Sequence, residues 1–269
     1  MPACSSGCKP PRTEAVALML TRRCNMSCGH CSVESHPRLA TGPELEELKS
    51  HLQSCVDCGV PFVLLTGGEP MLRQEVVFEL LAFARSKGLA VGLYSNGFWG
   101  KKPEVARELV NRLKAGGLLS LALSYDRFHA DHQSVEPLRN IARAAAEVDL
   151  PVRVSFTRGL DEEGLAPALE ELRSIPGGLF RFYDLQPVGA ARKLAEKQFR
   201  AEWQGACNAC GFLAITEDAR VTACNGPSYF QTEPSPLALG SLKEEGLASK
   251  LERFHSDPYL TALRTMGPA

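Results

Sequence analysis

Cys24, Cys28 and Cys31 lie in the stretch Arg22-Arg23-Cys24-Asn25-Met26-Ser27-Cys28-Gly29-His30-Cys31, close enough together to hold one inorganic centre. Thiolates are the protein ligands of iron–sulfur clusters, and ligands three and four residues apart on one short loop reach three corners of a four-iron cube. Three ligands for four irons leave one iron open to a substrate or cofactor. A structural zinc site needs a fourth ligand, which His30 or His36 offers, so the loop by itself leaves zinc open. About forty residues further on stands Thr66-Gly67-Gly68-Glu69-Pro70. Two glycines let backbone approach a ligand closely, and a carboxylate holds an ammonium group.

These residues need a scaffold, and the apolar runs supply one. Glu14–Leu20 precedes the cysteine loop, Val60–Leu65 precedes Gly67-Gly68, and Leu89–Tyr94 precedes Ser95-Asn96-Gly97. Leu118–Leu123 precedes Ser124-Tyr125-Asp126, Pro151–Phe156 precedes Thr157-Arg158-Gly159, and Leu179–Leu185 precedes Gln186-Pro187-Val188-Gly189. Helical spacing separates them: Leu45, Leu48 and Leu52 mark one helix, and Val76, Val77, Leu80, Leu81 and Ala84 another. Thr41-Gly42-Pro43-Glu44 reads as an N-terminal cap with proline in the first turn, and Gly88 and Gly116 stand where helices should stop. Strand and helix alternating six times predict an α/β fold with parallel strands. Polar and glycine-rich residues follow all six runs, which favours a partial (β/α)6 TIM-like barrel over an open sheet with one switch point.

Beyond the barrel, Cys207-Asn208-Ala209-Cys210 and Cys224 frame Gly211–Ala223, which reads as a hairpin turning at Glu217-Asp218. Three thiolates so spaced suit a metal centre, and zinc with His255 as fourth ligand is one alternative. Cys55 and Cys58, at the end of the first predicted helix, read as packed or partly exposed thiols. Cys4 and Cys8 lie in a terminus rich in small residues.

Composition excludes several classes. The formal net charge is −1, which gives no basic footprint for nucleic acid. No apolar run reaches transmembrane length and the N-terminus lacks a signal-peptide core, so no membrane partner and a cytoplasmic location are expected. Ten cysteines grouped in short motifs then favour metal binding over disulfides.

The cysteine loop after the first strand and Gly67-Gly68-Glu69-Pro70 after the second, in that order, resemble the radical S-adenosylmethionine (SAM) superfamily. Cys207, Cys210, Cys224 and the later Leu239-Gly240-Ser241-Leu242 resemble its SPASM or twitch extensions, which hold an auxiliary iron–sulfur cluster. The resemblance implies residues 1–12 as an N-terminal segment, 13–195 as the partial barrel and 196–269 as a small SPASM/twitch-like domain. It implies a [4Fe-4S] cluster on Cys24, Cys28 and Cys31 that binds SAM. A second cluster, expected as [4Fe-4S], would lie on Cys207, Cys210 and Cys224. No cysteine follows Cys224, so one auxiliary cluster is the most this sequence can carry, and its fourth ligand is open between Cys4, Cys8 and substrate. Carried over by position, Gly67, Gly68 and Glu69 hold the methionyl amino group. Ser95, Asn96, Ser124 and Asp126 face the ribose or carboxylate, Val188 contacts adenine through its backbone, and His30 takes the place of the usual aromatic neighbour of adenine.

The expected chemistry is reductive cleavage of SAM to a 5′-deoxyadenosyl radical that abstracts a substrate hydrogen atom. Asp126, His129 and Arg158 are the expected catalytic residues: Tyr125–His132 is dense in proton-transfer groups, Arg153 and Ser155 share one face of the fifth strand by alternation with Arg158 following it, and one of these arginines suits a carboxylate. Such extensions are frequent in enzymes that crosslink or oxidise ribosomally made peptides, so an oxidoreductase acting on a peptide is the favoured reading. The short segment before the first strand leaves no room for a leader-recognition domain, which keeps a small-metabolite dehydrogenase or rearrangement enzyme as the alternative. A non-catalytic iron–sulfur or zinc protein is the remote one. The expected partners are a peptide or small-molecule substrate and an electron donor such as flavodoxin or ferredoxin.

Overall fold

A computed structural model describes residues 15–158, 170, 173, 179–194, 199, 212–224, 229–230 and 234–266. The expected strands are β1 (Ala15–Met19), β2 (Phe62–Thr66), β3 (Ala90–Ser95), β4 (Leu118–Ser124), β5 (Val152–Arg158) and β6 (Leu179–Asp184). Each pairs in parallel with the next. The crossovers carry α1 (Leu45–Asp57), α2 (Gln74–Ser86), α3 (Pro103–Ala115), the short α4 (Arg127–Ala130) and α5 (Glu136–Glu147). The sheet does not close, so the barrel is partial as the alternation predicted.

Alternation along the strands sorts the two faces. Val16 and Leu18, Val63 and Leu65, Val91 and Leu93, Leu121 and Leu123, and Val152 and Val154 all point into one core against the helices. Leu48 and Leu52 of α1, Val77 and Leu80 of α2 and Leu109 and Leu113 of α3 meet them there. The residues in between line the inner, concave face: Ala17 and Met19, Leu64 and Thr66, Gly92 and Tyr94, Ala122 and Ser124, Arg153 and Ser155. That face changes from small and apolar at β1 to hydroxyl-bearing and cationic at β5, which is how a fold keeps a core and a site on one sheet.

The C-terminal hairpin forms as read, with β7 (Phe212–Ile215) and β8 (Arg220–Thr222) antiparallel around a turn at Glu217-Asp218. β9 (Ala238–Ser241) adds to β8, and β7 pairs in parallel with β1. The strand order is therefore β6-β5-β4-β3-β2-β1-β7-β8-β9, and the segment expected as a separate extension continues the barrel sheet. Helices Leu247–Ser256 and Pro258–Met266 follow.

One helix start differs from its sequence signal. α1 begins at Leu45 behind Glu44, with no side-chain cap, rather than at the Thr41-Gly42-Pro43 cap. Gly42 has φ 109°, and a Cβ there would lie 2.3 Å from the Leu20 carbonyl oxygen. Close approach to the end of β1 thus holds this turn extended, and Arg73 clamps it by donating to the carbonyls of Leu20 at 2.6 Å and Pro43 at 2.7 Å.

Candidate active site

The cysteine loop leaves β1 and returns on itself, with the Cys24 amide donating to the His36 carbonyl and the Cys31 amide to Cys28. Backbone amides of Met26 and Ser35 point at the sulfurs of Cys24 and Cys31 at 3.4 and 3.3 Å. Burial pushes the Cys24 thiol up to about 12 and raises Cys28 too, with the Cys31 sulfur adding to both. Cys24 and Cys28, so withdrawn from water, become thiolates only beside a cationic centre. Among the described residues, the ligating atoms that gather within 4.8 Å of one another belong to His30, Asp126 and His129, so the three sulfurs spread wider than ligands of one ion. A multi-iron cluster fits that donor set better than zinc does. Both histidines face elsewhere: His36 Nδ1 accepts from the Arg38 amide, and His30 turns to Asp126.

Gly67 and Gly68 lock this loop to β2. The Gly68 and Glu69 amides donate to the carbonyls of Thr21 and Arg23 at 2.7 and 2.9 Å, and a Cβ on Gly68 would lie 2.4 Å from the Arg23 oxygen. Glu69 is fully buried and accepts from the Met71 amide (2.9 Å), the Ser95 hydroxyl (2.8 Å) and the Asn96 amide (2.7 Å). Burial pushes its carboxyl up to about 7 against those bonds. Oε2 takes only one of these donors, which leaves acceptor capacity for an ammonium group. Asn96 continues the chain of contacts, its side-chain amide reaching Asn25 at 2.9 Å and the Cys24 sulfur at 3.6 Å.

At the end of β4, Asp126 caps α4 by accepting from the Phe128 and His129 amides. The His129 ring lies 2.8 Å from one carboxylate oxygen and the His30 ring 3.1 Å from the other. Burial would raise the Asp126 carboxyl, but the two histidines outweigh it and hold it well below the usual range. His30 stacks on Phe128 at 4.5 Å, and its Nδ1 is buried without a partner.

The remaining expected residues divide. Ser124 lies on the inner face near Tyr94. Val188 precedes Gly189, where a Cβ would strike the Cys31 and Ser32 carbonyls at 2.4 Å, and Ala190 donates to Cys31. The last strand's turn therefore seats against the cysteine loop. Arg158 follows the alternation of the helix-facing residues and pairs with Asp184 at 3.0 Å. Cys224 ends the β7–β8 hairpin, while Cys207 and Cys210 lie outside the described residues. Asn25, Phe128, Arg73 and Tyr94 escaped the sequence reading. Phe128 and Arg73 stand within or beside recognised motifs, whereas Tyr94 was counted as the end of an apolar strand.

The model of the Radical SAM superfamily matches residues 18–172, more than half of the chain. The chain belongs to the radical SAM superfamily. Membership implies a [4Fe-4S] cluster and SAM, and the three thiols and the Gly67–Asn96 cradle suit both. This radical SAM protein is 24% identical over 265 residues to YydG of Bacillus subtilis (strain 168), whose name assigns it provisionally to peptide biosynthesis. That match covers 94% of this chain and 81% of YydG. The AdoMet-dependent heme synthase of Nitratidesulfovibrio vulgaris is 26% identical over 261 residues, covering 92% and 67%. PqqA peptide cyclase of Xanthomonas euvesicatoria is 33% identical over 158 residues, covering 54% of this chain and 40% of the cyclase. BtrN, solved with AdoMet and 2-DOIA, shares the fold at a TM-score of 0.55 and 13% identity, over 95% of this chain and 89% of its own. No helix among the described residues is long and apolar enough to cross a membrane.

Proposed function

We propose that this radical SAM enzyme reductively cleaves SAM and removes a hydrogen atom from a peptide substrate, in an oxidation or crosslinking reaction. When bound, cluster and SAM together supply the 5′-deoxyadenosyl radical that does so. Everything else falls to the chain's own residues. Cys24, Cys28 and Cys31 hold the cluster, and Glu69, fixed by Met71, Ser95 and Asn96, receives the methionyl ammonium. Asn96 joins these two tasks through its contacts with Cys24 and Asn25. Asp126 orients His30 and His129, presenting stacked, apolar-edged rings to the adenosine and excluding water from the radical. The Gln186–Gly189 turn, seated on Cys31, offers backbone to adenine.

The similarity to YydG along nearly the whole chain carries the peptide reading, with the PqqA peptide cyclase match beside it. The heme synthase match favours a second reading, in which the substrate is a small metabolite. Cys207, Cys210 and Cys224 are proposed to hold an auxiliary cluster, and flavodoxin or ferredoxin to deliver the electron. Deuterium transfer into 5′-deoxyadenosine decides the substrate. A labelled peptide encoded beside the gene should donate deuterium, and transfer from a labelled metabolite instead would establish the second reading.

A further inference from the structure

The inner face of the barrel carries a positive charge that the proposed SAM contacts leave unused. Arg153 stands on β5, in register with Ala122 of β4 and Leu179 of β6, and Ala122 is in register with Tyr94 of β3. Tyr94 and Arg153 therefore flank a small residue, with a phenol on one side of it and a guanidinium on the other. The Tyr94 hydroxyl lies against Ser155 and Ser124, with Arg153 and Tyr183 beside it. Burial pushes this phenol up to about 12, so near neutral pH it keeps its proton and can donate it in a hydrogen bond.

The guanidinium has a donor with nothing to receive it. Arg153 Nε is buried without a hydrogen-bond partner. Other arginines of this region are paired, Arg158 with Asp184 and Arg192 with Glu34, yet among the described residues no carboxylate faces Arg153. A buried guanidinium N–H without an acceptor is costly, and an anion would complete it. A planar carboxylate matches its fork, and the hydroxyls would take the remaining lone pairs. The layer is also deeper than the proposed SAM contacts: Ser124 and Ser155 are mutually in register, and Ala122 and Arg153 lie two residues below them on the same strands. Access is from the side. β6 is the sheet edge, with Leu179 65% and Tyr183 38% exposed on the same inner face.

From these relations we infer that Arg153, with Tyr94 and Ser155, forms a binding site for a carboxylate of the substrate, an acidic side chain of the peptide. The inference rests on the peptide reading of the function. SAM itself carries a carboxylate, so the test separates the two sources.

The probes are two blocked tripeptides, acetyl-Ala-Glu-Ala-amide and acetyl-Ala-Gln-Ala-amide, added to the cluster-loaded enzyme with SAM and followed by saturation-transfer NMR. The glutamate peptide should bind about tenfold more tightly than its glutamine twin, as expected for losing a charge-assisted hydrogen bond. Arg153→Gln should abolish that preference and leave SAM affinity unchanged. Tyr94→Phe, which removes one hydroxyl, should reduce it about threefold. Arg153→Lys keeps the charge and should retain part of it, so the reading survives a poorly folding Arg153→Gln variant. Equal binding of the two peptides, or an undiminished preference in both Arg153→Lys and Tyr94→Phe, would overturn the inference. A tenfold loss of SAM affinity in Arg153→Gln would overturn it too, by assigning the arginine to SAM. Failure of SAM cleavage would instead strike the proposed function, and the tripeptide preference would still be readable.

Discussion

His30, from the cysteine loop, and Asp126, from the end of β4, meet at 3.1 Å. This contact ties the loop that carries the thiols to a strand end far away in sequence, and His129 completes it from the other carboxylate oxygen at 2.8 Å. Because Asp126 also caps α4, its two duties can be separated. Asp126→Asn keeps an oxygen for the Phe128 and His129 amides but loses the charge. Asp126→Ala loses both and should be less stable than Asp126→Asn by about 1 kcal/mol. Urea unfolding of the two variants measures the difference, and equal midpoints would contradict the capping role.

Glu69 should make SAM binding depend on pH. Its buried carboxyl is raised from an ordinary 4.5 to about 7, so the folded, ligand-free protein favours the protonated form. The group's contribution to stability is therefore present below 4.5 and lost as pH rises through about 7. An ammonium needs the carboxylate, so SAM affinity should rise across the same window. Equilibrium dialysis of labelled SAM should show this rise in the native enzyme and a flat, weaker profile in Glu69→Gln.

Gly68 tests the close seating of the second motif on the cysteine loop. A Cβ there would lie 2.4 Å from the Arg23 oxygen and 2.5 Å from the Arg22 oxygen, both backbone atoms that cannot swing away. Gly68→Ala should cost about 1–3 kcal/mol by overpacking and lower the iron retained after reconstitution. Gly246→Ala, with nothing within 4 Å of its added carbon, is the control and should retain iron normally.

Much of this arrangement was legible in the residues themselves. The parallel strands showed as apolar runs because helices cover one face and the barrel encloses the other, and the hairpin at Glu217-Asp218 announced itself by its polar turn. Pairs such as Gly67-Gly68 were legible because only glycine tolerates backbone so near Thr21 and Arg23. The start of α1 was not legible: Thr41 carries a good cap signal, but Gly42 is held by the Leu20 carbonyl and Arg73, which no local pattern reveals. Arg158 illustrates the same limit. It is the last residue of β5 and alternation turns it to Asp184, whereas Arg153 and Ser155, legible as sharing one face of that strand, face the barrel interior. Tyr94 hid inside an apolar run, since a strand's period separates its two faces only once the core is known.

The auxiliary cluster proposed on Cys207, Cys210 and Cys224 is open to metal analysis. Alanine at Cys24, Cys28 and Cys31 together should leave only the iron bound through Cys207, Cys210 and Cys224. Unchanged iron content would reject this division of ligands, and zinc in place of the residual iron would reject the auxiliary cluster.

The cysteine loop and the Glu69 cradle are proposed to hold the cluster and SAM for reductive cleavage. Protein reconstituted with iron and sulfide without oxygen, reduced with dithionite and supplied with SAM should form 5′-deoxyadenosine, and the triple cysteine variant should form none. Absence of 5′-deoxyadenosine from native protein carrying a full complement of reduced cluster would contradict the account.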